Sequence, residues 1–484
     1  MRKDEASRGG TGENMKKRKS LCVLQVVFLA LIALTAVAHA PAQTAEPGAA
    51  TEATRQANAA VLHDLPFSDR QDFADAARGL VAPAPVAVIR NPEGRIVWDM
   101  NPYQFLNGDG SWETINPSLR RQATLNNFHG LFKVVDRIYQ VRGYDLANMG
   151  IVAGDTGYIV IDPLTSVDTS RAALELVYAH LGKKPIMAVI YSHSHADHWA
   201  GVKGVVSTED VKRGKVKIIA PAGFMEEAIG ENVYAGNAMI RRSQYMYGPF
   251  LQRGPRGQVD AGLGKSVPMT LSTSLIHPTD TVVKTGQEMT VDGVKIVFQM
   301  TPGTEAPSNM NFHFPQLRAL FMADTLEQLG YQSESAVFRN FYLFGAQELR
   351  QGVKKPFAKI PPALDVYQAL TLDMIFDSMA VRLNGPKAAG KSITINWHFT
   401  DTNELYVLSL ENSVLNHTAG KQAKNADCSV KLSRELFNKV ISGQSTFLAR
   451  ILLRQISYEG SIGKLSELMS MLDEFDLWFN IVTP

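Results

Sequence analysis

Between residues 131 and 221 the chain alternates short apolar runs with polar turns, interrupted by one segment of helical period. Leu131 to Val141 alternates apolar and polar side chains and predicts a strand. Asn148–Ala153 and Gly157–Asp162 predict two more, separated by a Gly-Asp-Thr-Gly turn. Arg171 to Leu181 carries apolar residues at helical spacing and stops at Gly182. Pro185–Tyr191 is apolar and partly β-branched, which predicts a buried strand. Val216–Pro221 predicts another, followed by a helical segment from Gly223 to Asn232. Strand, strand, helix, strand implies a layered α/β sandwich, with the end of the Pro185–Tyr191 strand at one sheet edge.

Further along, Gly248–Met269 is rich in Gly, Pro and Arg and predicts a long loop on the substrate side. Thr279–Phe298 predicts a pair of strands around Asp292-Gly293. Asn311–Phe314 alternates as a strand, and Ala319–Asp324 predicts a buried strand ending in a carboxylate. Near the C-terminus, Leu370–Leu383 predicts an amphipathic helix, and Ser392–Asn396 with Glu404–Leu410 predict paired strands. Ser433–Ser442 predicts a further helix. Pro41–Ala60, rich in Ala, Thr, Pro and Glu, predicts a disordered stretch, and Asp64–Leu119 is mixed and holds no cluster of ligand residues.

A chain of 484 residues exceeds one hydrophobic core and predicts two or three domains. A formal charge of +2 gives no argument for nucleic acid or an acidic substrate. Two cysteines, Cys22 and Cys428, exclude a disulfide framework. Lys16–Lys19 is basic, Leu21–Val37 is apolar, and Ala38-His-Ala40 is a small-x-small cleavage site. Residues 1–40 therefore predict a signal peptide and a periplasmic or secreted protein, with no stable membrane span after cleavage.

The densest chemistry lies in Tyr191-Ser-His-Ser-His-Ala-Asp-His-Trp199. A lone histidine on an apolar strand is ordinarily a satisfied core residue. Here His193, His195, Asp197 and His198 fall within six residues at a strand end. In extended chain His193 and His195 point to one side, and imidazoles converging with a carboxylate suit a divalent ion such as zinc. Glu305 sits in a turn after a strand and Asp324 at a strand end, both apt positions for a further carboxylate. His313 reads as structural.

These residues resemble the linear alkylsulfatases of the metallo-β-lactamase superfamily. The resemblance rests on Leu65-Pro-Phe-Ser-Asp69, Gly130-Leu-Phe-Lys-Val134, Ile138-Tyr-Gln-Val-Arg-Gly143, Ile159-Val-Ile-Asp-Pro-Leu164, the histidine motif, Ala220-Pro-Ala-Gly-Phe-Met225 and Thr301-Pro-Gly-Thr-Glu-Ala-Pro307. It implies an αββα sandwich over residues 129–325, after a lead region at 41–128. A helical linker at 326–360 and a smaller α+β sterol-carrier-like domain at 361–484 follow. It further implies two zinc ions, one on His193, His195 and Glu305, the other on Asp197 and His198. Family members complete the pair with a bridging glutamate and a later histidine, and are homodimers.

This chain departs from that pattern where Met322-Ala-Asp-Thr325 runs straight into Leu326-Glu-Gln-Leu. The departure implies an internal deletion and a truncated sandwich, with Asp324 where the bridging carboxylate belongs and no replacement for the last histidine. The expected activity is hydrolysis of alkyl sulfate esters such as dodecyl sulfate, with Asp197 orienting the nucleophile. The alternatives are a surfactant- or lipid-binding protein that has lost catalysis and a truncated family member. The carrier-like part would offer an apolar groove, although its Met and Leu rows read as ordinary core.

Overall fold

The computed structural model describes residues 48–481, except 86, 109, 111, 270–271, 323–335, 354, 356–363 and 480. The expected signal peptide and Asp324 lie outside the described residues. Ten strands come first: β1 (Leu80–Pro83), β2 (Val88–Arg90), β3 (Ile96–Asp99), β4 (Gly130–Val135), β5 (Ile138–Arg142), β6 (Met149–Ala153), β7 (Tyr158–Ile161), β8 (Ile186–Ile190), β9 (Lys217–Pro221) and β10 (Asp280–Val282). All but the β2–β3 hairpin join one sheet in the order β1-β4-β5-β6-β7-β8-β9-β10. From β7 to β10 the pairing is parallel, and the helix Val167–Leu181 makes the β7-to-β8 crossover. A smaller sheet follows, from β11 (Glu288–Val291), β12 (Val294–Met300), β13 (Met310–Phe314) and β14 (Ala319–Phe321), antiparallel throughout.

The large sheet is buried on both faces, which is why its central strands read as apolar runs without alternation. Ile159, Ile161, Ala188 and Ile190 face the small sheet and meet Ile296, Phe298, Phe312 and Phe314. Tyr158, Val160 and Val189 face the helical side with Ala173, Leu174 and Val177. The outer face of the small sheet is exposed at Gln299, His313 and Leu320. Among the described residues no helix covers those positions, where the fourth layer of the expected αββα sandwich would lie.

Five strands form the last sheet: β15 (Ile393–Phe399), β16 (Glu404–Glu411), β17 (Val414–Ala419), β18 (Cys428–Leu432) and β19 (Ser457–Gly460), in the order β17-β16-β15-β18-β19. Helices Leu372–Val381 and Arg434–Ile441 lie over it, and Phe376, Trp397, Phe399 and Phe437 interlock beneath them. Leu372 and Met379 are buried in this packing, so those apolar rows are core.

Several expectations need correction. Residues 131–141 are a hairpin, not one strand: Val134 is exposed, and Arg137 turns the chain with φ +63°. Alternation continued through the turn and hid it. Residues 52–64 are helical, with Thr51 Oγ1 accepting from Thr54 N at 3.2 Å, although disorder was expected up to Ala60. The 248–269 segment is irregular, as expected of a loop, but much of it is packed inside: Val259, Asp260 and Lys265 are buried, and Lys265 donates to Asp260 at 2.9 Å. The strand at 319–321 is only partly covered, because it is the last in its sheet. Finally, β8 lies inside the large sheet between β7 and β9, so the histidine motif sits at strand ends and not at a lateral edge.

Candidate metal centre

Parallel pairing with β7 and β9 fixes the direction of β8, and the motif follows its C-terminal end. Tyr191 is fully buried there, stacked on Phe224 and donating its hydroxyl to Ile276 O at 3.1 Å. The small sheet grips the next residues from the other side: Met310 N donates to Ser192 O at 3.0 Å, and His193 bridges to Asn309. Trp199 closes the loop by donating Nε1 to Ser194 O at 2.8 Å. Just beyond, Gly201 passes so close to the β7–helix turn that a Cβ would stand 2.1 Å from Pro163 O. A side chain at 201 would lift the motif off its support.

Asp162 organises the interior of the site. It directly follows β7 with φ +54° and is buried. Its Oδ1 accepts from Ser192 N at 2.8 Å, and its Oδ2 accepts from Ser192 Oγ at 2.7 Å. The same Oδ2 lies 2.9 Å from His198 Nδ1. A carboxylate oxygen can only accept, so His198 carries its proton on Nδ1 and leaves the Nε2 lone pair outward. Ser192 Oγ, its own proton given to Asp162, accepts from His193 Nδ1 at 2.9 Å. His193 thus presents Nε2 in the same way.

The outward nitrogens have matching neighbours. His193 Nε2 lies 3.0 Å from His195 Nδ1, and that Nδ1 lies 3.6 Å from Glu305 Oε1. His198 Nε2 lies 3.3 Å from Asp197 Oδ2. Donors bound tetrahedrally at zinc-like lengths of ~2.1 Å stand about 3.4 Å apart, so these separations suit a shared cation. Among the described residues the donors meet in such pairs, and no group of three or more closes on one point. Burial, reinforced by His198 and His195, holds His193 well below its ordinary pKa, so it stays a neutral ligand. Burial works against ionisation of Asp197, but the adjacent imidazoles, His198 first and then His195 and His193, outweigh it and hold this carboxyl below its usual range.

His193, His195, Asp197, His198 and Glu305 therefore come together. His313 stands apart, exposed on the outer face of β13. Sequence reasoning did not single out Asp162, Ser192 or Glu231, whose Oε1 lies 3.6 Å from His195 Nε2. Asp162 had a usable signal: a carboxylate ending the apolar run Ile159–Ile161, at the same sheet end as the motif. Glu231 had none, since only the path of the chain after β9 brings it to the site.

A mixed sheet buried by helices on one side and a second sheet on the other, with clustered imidazoles at the ends of its parallel strands, defines a metallo-β-lactamase-type fold. Residues 142–353 match the metallo-beta-lactamase superfamily, a likeness that suggests metal binding, and residues 362–484 match the alkyl sulfatase C-terminal family. The chain belongs to the alkylsulfatase family. It is 35% identical to a linear primary-alkylsulfatase of a Pseudomonas species, over 92% of this chain and 94% of that one. It is 32% identical to an (R)-specific secondary-alkylsulfatase, also from Pseudomonas, over 92% and 96%. Its fold superposes on the solved stereoselective inverting sec-alkylsulfatase Pisa1 from Pseudomonas with a TM-score of 0.82 at 32% identity, covering 90% of this chain and 99% of that one.

Proposed function

We propose that this protein is a zinc-dependent hydrolase that cleaves alkyl sulfate esters to an alcohol and sulfate. The observation that carries the reading is the pairing of His193 with His195, His195 with Glu305 and His198 with Asp197 at separations suited to a shared cation, in a chain of the alkylsulfatase family. His193, His195 and Glu305 would hold one ion, and Asp197 with His198 a second. Zinc, when bound, supplies Lewis acidity that makes water a competent nucleophile near neutral pH. Asp197, its carboxyl held below the usual range and partly exposed, would accept a hydrogen bond from the attacking water and fix its orientation. Ser192 and Asp162 keep the imidazoles in the tautomers this requires. Zinc-loaded protein should release sulfate from dodecyl sulfate, lose that activity on chelation and regain it with zinc. Folded, zinc-loaded protein that releases none would overturn the reading.

A second reading has its own support. After Glu305, the described histidines add nothing to the His198–Asp197 pair: His398 lies on β15, and His417 sits between Asp373 and Asp377 of the C-terminal domain. The alignment with the linear primary-alkylsulfatase runs over 636 residues while using 92% of a 484-residue chain. This supports an internal stretch missing here. On this reading the second ion is lost and the protein binds surfactants with little turnover. Zinc per chain separates the two: two ions favour the hydrolase, one a weakened enzyme, none the binding protein. Lys16–Lys19 and the apolar run after it support export to the periplasm, which the N-terminal sequence of the mature protein would test.

A further inference from the structure

Two of the three imidazoles have their distal nitrogen anchored to Asp162, His198 directly and His193 through Ser192. His195 is placed differently. Its Nδ1 points toward His193 and Glu305, and its Nε2 faces away from them, toward Oε1 of Glu231 at 3.6 Å. That separation is ion-pair reach and longer than a hydrogen bond, so a small inward movement would close it.

The backbone around Glu231 is unusual. Helix Phe224–Ile229 passes into a π-turn at Gly230–Tyr234, closed by Ala235 N donating to Gly230 O at 2.9 Å. An inserted π-turn shifts side chains off the α-helical register and recurs where a helix must aim one residue at a site. Two contacts hold this one. Asn232 Nδ2 donates to Ala228 O at 2.9 Å, and Tyr234 donates its hydroxyl to Met374 O, on helix Leu372–Val381 of the C-terminal domain, at 3.1 Å. Glu231 is three-quarters covered, an uncommon place for a glutamate without a task.

We propose that Glu231 is a positioning residue for His195, accepting the Nε2 proton so that Nδ1 keeps its lone pair for the cation shared with His193 and Glu305. The inference rests on the metal-dependent reading above. Each imidazole of the site then has an outer carboxylate, the arrangement that fixes tautomer and ring orientation in metal centres. The C-terminal domain acquires a part in it, because Met374 holds the turn that carries Glu231.

The test is a metal titration of the full-length mature protein, with zinc in competition with a chromophoric chelator and with cobalt read by its visible absorption. Glu231→Gln should weaken zinc binding by roughly 10- to 100-fold and alter the cobalt spectrum, while the metal-free melting temperature stays put. Glu231→Asp keeps the charge but withdraws it from His195. It should bind zinc more weakly than wild type and more tightly than Glu231→Gln, and it serves if the glutamine variant does not fold. Glu227→Gln removes a neighbouring acid on the same segment and should leave both readings unchanged. Wild-type affinity and spectrum in both Glu231 variants would overturn this inference alone, and equal losses in Glu227→Gln would reduce it to general electrostatics. A wild-type chain that binds neither metal would overturn the functional reading itself.

Discussion

His198 Nδ1 lies 2.9 Å from Oδ2 of Asp162, the oxygen that also accepts from Ser192 Oγ at 2.7 Å. One buried carboxylate thereby sets the protonation of two imidazoles, one directly and one through a hydroxyl. It reaches them because β7 and β8 are adjacent and parallel, so their C-terminal ends lie side by side.

Asp162→Asn should lower metal affinity by about 10- to 100-fold with little change in overall shape. An amide nitrogen cannot accept, so the variant loses either the His198 Nδ1–H contact at the Oδ2 position or, with the amide flipped, the Ser192 N contact at the Oδ1 position. A buried donor left without its partner also costs about 1–3 kcal/mol of folding stability. Zinc titration alongside urea unfolding would measure both effects. Unchanged affinity would remove Asp162 from the account of the site.

Asp145 offers a pH signature. Its carboxylate accepts from Thr165 Oγ1, Thr169 Oγ1, Leu146 N and Thr165 N, yet burial outweighs these bonds and pushes its pKa from 3.8 up to about 6. With the folded value above the unfolded one, the contribution to stability is fully present below pH 3.8 and is lost as pH rises through about 6. At 1.36 kcal/mol per unit the swing is about 3 kcal/mol. Asp145→Asn cannot titrate, so wild type should lose about 2.4 kcal/mol relative to the variant between pH 4 and pH 7. His193, held below its ordinary 6.5, works in the opposite sense: its contribution is present above pH 6.5 and lost as pH falls. It is common to both proteins and cancels in the difference. A pH-independent difference in urea unfolding would contradict the expectation for Asp145.

The elements legible in the sequence are those whose pattern has one physical cause. Strands β6 to β9 are buried on both faces, so Met149–Ala153 or Ile186–Ile190 can be little else. The histidine motif was legible because its donors are local. What failed depended on partners far away in the chain. Asp260 and Lys265 look like loop charges until they meet, and Arg253 has its guanidinium satisfied by the carbonyls of Pro249 and Leu251. Charges paired or hydrogen-bonded in this way can leave the surface, and composition does not register it. Residues 52–64 show the reverse error, since an Ala-rich polar segment suits a helix as well as a disordered stretch once Thr51 caps it.

The segment expected as a linker yields the last prediction. Helix Ala336–Gln351 packs along helix Gly236–Tyr247 through a buried pair, Arg241 with Glu348. Tyr245 donates its hydroxyl to the second carboxylate oxygen at 2.6 Å, and Arg241 Nε donates to Phe479 O at 2.9 Å. Glu348→Ala would leave the Arg241 guanidinium buried without its counter-charge, which costs about 3–5 kcal/mol. Replacing both residues, Arg241→Met with Glu348→Leu, removes the charge together with its partner and should recover most of that loss. Urea unfolding of the two single variants and the double variant gives the coupling directly. If Glu348→Ala costs under about 1 kcal/mol, as exposed ion pairs do, the helix is a loosely attached linker after all. A large cost recovered in the double variant would make it part of the core that supports the π-turn and, through Glu231, the metal centre.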